Sequence, residues 1–245
     1  MMRRALLLAL LLVASPVYGA ADIAFVGTST DTTNASSYTF TNHAIGTASS
    51  DRCVLVAMHS GISAQSAFSI TSITIGGNAA TIVAQQYKDT VGFTRLAAVA
   101  SLLVTSGTTA TIVITPSTTA NRMRIEVYTL IGTTNCTSLA DGDSSSATDP
   151  SVALDVPANG SALGACTDGV SDYTWTGLTE DADSDDEAAM TSTSASADFG
   201  TIQTGLTMTC DSTSSADLAE IGIFVSWAPA GTVYAPARVI GGAVF

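Results

Sequence analysis

Positive charge is what this chain has least of. Eight Lys and Arg stand against 21 Asp and Glu in 245 residues, a net charge of −13 at neutral pH. Lysine occurs only as Lys88. A surface so acidic repels phosphate backbones and anionic headgroups, which makes nucleic acid and anionic membranes poor partners. Aromatic residues make up 6% of the chain, too few for the interfacial girdles of a membrane barrel. Histidine occurs twice, as His43 and His59, and neither G-x-S-x-G nor H-E-x-x-H is present. Serine-hydrolase and zinc-protease chemistry therefore have no local motif. Paired carboxylates far apart in sequence, as a glycosidase uses, would leave no such signature. After residue 20 no apolar run approaches the ~20 residues of a membrane-spanning helix.

What the chain does have begins at its first residues. Arg3 and Arg4 precede an unbroken apolar run from Ala5 to Ala14, followed by Pro16 and the small residues Gly19, Ala20 and Ala21. This is the layout of a secretory leader, with a positive start, a short apolar centre and a small-residue cleavage zone. Cleavage after Gly19 places Val17 at −3; cleavage after Ala21 places Gly19 there. Removing Arg3 and Arg4 takes the net charge from −13 to −15. The first cysteine is Cys53, which argues against a lipid anchor at the cleavage zone. The expected division is residues 1–20 as signal, 22–230 as one domain and 231–245 as a C-terminal tail.

An exported chain meets an oxidising compartment, and the cysteines are four: Cys53, Cys136, Cys166 and Cys210. An even number in that setting predicts two disulfides, with three connectivities open. No C-x-x-C pair favours zinc. Hydrophobic residues make up 46% of the chain, ample for a core and too many for disorder.

Alternating runs dominate the remainder. Cys53–His59 is nearly continuously apolar, as a central strand covered on both faces should be. Ile70–Ile75, then Gly76-Gly77-Asn78, then Ala80–Ala84 reads as a hairpin. Leu96–Val104 and Ala110–Thr115 follow, Pro116 ending the latter. In Arg122–Ile131, Met123, Ile125, Val127, Thr129 and Ile131 face one way; Arg122, Arg124, Glu126, Tyr128 and Leu130 face the other. Val152–Val156, Ser161–Thr167, Tyr173–Thr176, Thr201–Cys210 and Ala219–Trp227 continue the series, after the short candidates Ala24–Val26 and Ser37–Phe40. Only Asp185–Met190 hints at a helix. The fold class expected is all-β: a single-domain antiparallel β-sandwich, jelly-roll-like, after the signal segment.

Five segments in this order resemble a β-sandwich domain of large bacterial surface proteins and of phage structural proteins. They are Ser49–Met58, Thr71–Thr81, Thr109–Thr115, Glu126–Gly132 and Ala219–Ala230. The resemblance spans residues 24–230 and implies a non-catalytic scaffold or adhesion module. It brings no set of binding or catalytic residues. This chain departs from the pattern in its single copy, its cysteines and an acidic loop.

That loop, Glu180–Glu187, is the sharpest local feature. Asp181, Asp183 and Asp185, with Asp186 and Glu187, could surround a hard cation such as calcium. An EF-hand loop starting at Asp181 would need glycine at Asp186 and glutamate at Ser192, and has neither. A solvated acidic loop is the favoured alternative, so calcium is the one candidate cofactor and none is required. Asp141-Gly142-Asp143, with Asp149, is a weaker cation candidate in a Ser-rich loop. Tyr173 and Trp175 share a strand face beside a loop and could stack on a sugar ring; Trp227, in phase with Ile223 and Val225, belongs to the core. Asn34, Asn135 and Asn159 match the N-glycosylation pattern. The apolar tail residues Val239, Ile240, Val244 and Phe245 could add as a strand to a neighbouring copy, with terminal disorder the simpler expectation.

The expectation is a non-catalytic, secreted or cell-surface sandwich acting in adhesion, binding or assembly. The alternatives are a phage virion component, as capsid decoration or fibre, and a calcium-assisted carbohydrate-binding module. The expected partners are a protein or glycan surface, or further copies of the chain.

Overall fold

In the computed structural model the residues described are 19–90, 92–146, 149–169, 173–184, 190–212 and 220–232. Among them lie seventeen strands and no helix. The first nine are β1 (Asp22–Asp31), β2 (Tyr38–Ala44), β3 (Cys53–Ile62), β4 (Ile70–Ile75), β5 (Asn78–Ala79), β6 (Thr81–Thr90), β7 (Phe93–Leu103), β8 (Thr109–Pro116) and β9 (Arg122–Ile131). They form an inner sheet ordered β1-β9-β3-β7-β6 and an outer sheet ordered β2-β8-β4-β5. The expected hairpin is present: Gly76 and Gly77 take φ of 60° and 81°, and β4 turns back into β5. The returning strand then changes sheet. After Ala80 the chain leaves β4 and pairs with β7 as β6.

The last eight strands are β10 (Ala140–Ser146), β11 (Ser151–Val156), β12 (Gly160–Asp168), β13 (Tyr173–Thr176), β14 (Thr179–Ser184), β15 (Thr191–Phe199), β16 (Gln203–Ser212) and β17 (Glu220–Trp227). Their inner sheet runs β10-β17-β12-β15-β14 and their outer sheet β11-β16-β13. With β5 and β6 counted as one bent strand, both halves have the inner order first-eighth-third-sixth-fifth, and the outer order begins second-seventh-fourth. This is the jelly-roll arrangement. The sandwich expected once occurs twice, and every strand pairing is antiparallel.

The two rolls stack through their inner sheets, giving four layers and three cores. Val54, Val56, Met58, Ile125 and Val127 of the first inner sheet pack on Ile73, Ile75, Ile112 and Ile114 of its outer sheet. The opposite faces of the same strands, through Cys53, Leu55, Ala57, Tyr128 and Leu130, meet Leu163, Ala165, Ile221, Ile223, Val225 and Trp227 of the second roll. The third core lies between the second roll's own sheets, around Phe224, Met208, Val156 and Ala162. This stacking explains the near-continuous apolar runs. β3, β7 and β17 are covered on both sides, so both phases of their alternation are buried. It also gives the second face of β9 its neighbour, since Arg124, Glu126 and Tyr128 are buried toward the second roll.

Ala140–Ser146, expected as a loop, is an edge strand on β17. Arg52 is fully buried just before β3, and its guanidinium donates to the carbonyls of Gly46, Val104, Ser106 and Gly107. It thereby closes the turns at one end of the first roll.

Candidate functional site

Chemistry-bearing side chains gather on the faces that the two rolls turn toward each other. Alternation along β3 places His59 in phase with Cys53, Leu55 and Ala57, one step beyond the apolar stretch. On β9 the same phase carries Arg124 and Glu126, and on β12 it carries Thr167. His59, Glu126 and Thr167 are fully buried, and Arg124 nearly so. His59 Nε2 lies 3.1 Å from Glu126 Oε2, and His59 Nδ1 lies 2.8 Å from Thr167 Oγ1. Arg124 Nε donates to Glu126 Oε1 at 2.8 Å, and its Nη2 reaches the Asp183 carbonyl of β14 at 3.3 Å. The imidazole thus bridges the rolls: one nitrogen faces a carboxylate of the first, the other a hydroxyl of the second.

Burial alone would raise the Glu126 carboxyl, but His59 and Arg124 beside it outweigh that and hold it below its ordinary value. Alongside, Tyr128 Oη lies 2.5 Å from Ser194 Oγ, and Asp181 accepts from Ser196 Oγ at 2.6 Å. Burial raises the Asp181 carboxyl, against the pull of its Ser196 and Tyr128 hydrogen bonds. Farther along, Arg95 of β7 lies over Gly169, where a Cβ would come within 2.4 Å of the guanidinium. The base of β1 joins the same seam, as Ile23 N–H and Ser161 Oγ both donate to Asp198 Oδ1 and Ala21 N–H donates to the Asn159 carbonyl.

Hydroxyl, imidazole and carboxylate in a line have the atom order of a nucleophile relay. Here the hydroxyl has no exposed surface and also donates to the Leu96 carbonyl at 3.2 Å. Open concavities of about 390 and 530 Å³ lie elsewhere, beside Cys136 and between β1 and β2, and neither is lined by His59, Glu126 or Thr167. The other histidine, His43, is buried with Nδ1 2.8 Å from the Ala44 carbonyl. What this arrangement can do is hold two sheets in one register.

Of the acidic candidates, the described Asp181 and Asp183 point apart. Asp181 sits at a bulge in β14 and turns inward to Ser196, while Asp183 is exposed and accepts from its neighbour's Ser184 N–H at 2.6 Å. Asp185, Asp186 and Glu187 lie outside the described residues. Among the described residues no group of three or more His, Cys, Asp or Glu is placed to hold a metal ion. Asp141, exposed on β10, belongs to a strand and not to a loop.

Tyr173 and Trp175 share a face, but it is the inner one. Tyr173 is buried with Oη 3.1 Å from Thr191 Oγ1, and Trp175 packs edge-on to Phe224 while its Nε1 donates to Thr193 Oγ1. They are core residues of the second roll, not an exposed stacking platform. Trp227 is fully buried, as expected.

Of the four cysteines, Cys53 and Cys136 form a disulfide, tying the start of β3 to the segment between the rolls. The second expected bridge is absent as such: Cys166 and Cys210 are buried free thiols. No protein-family model, curated protein or solved structure matches this chain.

Proposed function

We propose that the protein is a non-catalytic, secreted or surface-exposed β-module that works by adhesion, binding or assembly. The observation that carries this reading is the outer face of the first roll. The strands β2, β4, β5 and β8 contain no Asp, Glu, Lys or Arg, in a chain whose net charge is −13. With their isoleucines turned inward, they present Thr39, Thr41, Thr71, Thr111, Val113 and Thr115 outward. A second surface can approach this sheet without the Coulomb cost it meets elsewhere on so acidic a molecule. Closure of the His59–Glu126–Thr167 line inside the molecule supports the non-catalytic part of the reading.

Of the two cleavage positions, the seam favours the one after Gly19. Cleavage after Ala21 would remove a residue that is 2% exposed and bonded to Asn159.

The test is made on protein recovered from the culture medium or cell surface. N-terminal sequencing should begin at Ala20. Sedimentation velocity and retention on cell or glycan surfaces should show assembly or binding, lost in Thr39→Lys and Val113→Lys, which are cross-strand neighbours. Unaltered assembly and retention in both variants would overturn the reading, as would hydrolytic turnover abolished by His59→Ala.

A further inference from the structure

We propose that Cys166 and Cys210 are a second disulfide site, joining the two sheets of the second roll. Cys166 lies on β12 of the inner sheet and Cys210 on β16 of the outer sheet. Both point into the core between those sheets, with Leu154, Val156 and Met208. Both thiols are buried in that one core, and each falls within electrostatic reach of the other. Cys53 and Cys136 are already joined, so this is the one pairing left for the remaining thiols. The bridge would close a loop of 44 positions, from 166 to 210.

The oxidant is a small-molecule disulfide. One cysteine thiolate attacks the oxidant's S–S bond, releasing one thiol and leaving a mixed disulfide. The second thiolate displaces the other thiol and forms the protein bridge. The two protein thiols lose two protons and two electrons, and the oxidant's bond is reduced to two thiols. Burial raises both protein thiols and closes the core to reagents. Bridging therefore belongs to folding, before the second roll closes. The folded dithiol should oxidise far more slowly than the unfolded chain.

Export supplies such an oxidant in the cell, and to that extent the inference rests on the reading above. The linkage itself can be tested apart from it. The full chain is reduced, unfolded and refolded in mixed reduced and oxidised glutathione, its free thiols are alkylated, and non-reduced peptides are mapped. The same map is made on protein purified without reductant from an oxidising compartment, which needs no refolding. The expected result is no alkylated cysteine and a peptide pair linking Cys166 to Cys210, retained in C53S/C136S. Alkylation of both Cys166 and Cys210 beside an intact Cys53–Cys136 bridge would overturn the proposal. Either thiol paired with Cys53 or Cys136 would do the same. Recovery of reduced, full-length protein from the cytosol would count against export and leave the refolding result standing.

Discussion

The first roll closes on β-branched bulk, Ile70, Ile73, Ile75, Ile112 and Ile114 across from Val54 and Val56. The second has the same strand order and closes on Ala162, Ala195, Cys166, Cys210 and Met208, its volume supplied by Phe224 and Trp175. Room for the indole comes from Gly164, where a Cβ would lie 2.5 Å from the ring. Two such unlike fillings under one topology show that the strand order does not depend on one packing solution. What the rolls share is the covered inner sheet, where each gives up a whole face to the other.

The sharpest way to break that equivalence is at the seam itself. Glu126→Ala leaves His59 and Arg124 buried without their carboxylate, a class of change that costs about 3–5 kcal/mol. Chemical denaturation should show one cooperative step in the native protein and the rolls unfolding apart in the variant; a loss under about 1 kcal/mol would mean that the seam does not couple them. Next in size is a matched pair of truncations. Ile73→Ala in the first core should cost about 2–5 kcal/mol, and Met208→Ala in the second should fall at the low end of that range. The half-buried neighbours Val152, Trp175 and Leu206 can settle into the gap. Equal losses would erase the contrast between the two cores.

The smallest effect is on pH dependence. Glu126 has a folded value below its ordinary 4.5, so its contribution is complete above the unfolded value and disappears as pH falls through the folded one. Stability measured from neutral pH downward should drop more steeply below pH 4.5 in the native protein than in Glu126→Gln. Parallel curves would remove Glu126 from the acid response.

How much of this was readable beforehand depends on side-chain type. The strands β3, β7 and β17 stood out because burial on both faces leaves an unbroken apolar run. The two faces of β9 were legible, but not what covers the second one; alternation of apolar with polar residues does not distinguish water from a polar seam. β10, β14 and β15, with sequences ADGDSSS, TEDADS and TSTSASADF, gave no strand signal. In β15 the hydroxyls of Thr193 and Ser196 find partners inside the fold, so they can be buried without apolar character. Missing those strands concealed the second roll. His59 was visible as a lone histidine at the end of an apolar run. Its partners are 67 and 108 positions away, a distance no motif spans.

The segment between the rolls is eight residues long, from the end of β9 to the start of β10, and Cys136 within it is bonded to Cys53. Two separate jelly rolls joined face to face would obey mass action and come apart as they were diluted. Tethered this closely, each half meets the other at an effective concentration of about millimolar or above, however little protein is present. The stack therefore behaves as a dimer with no dissociation constant, its two halves kept together at any dilution.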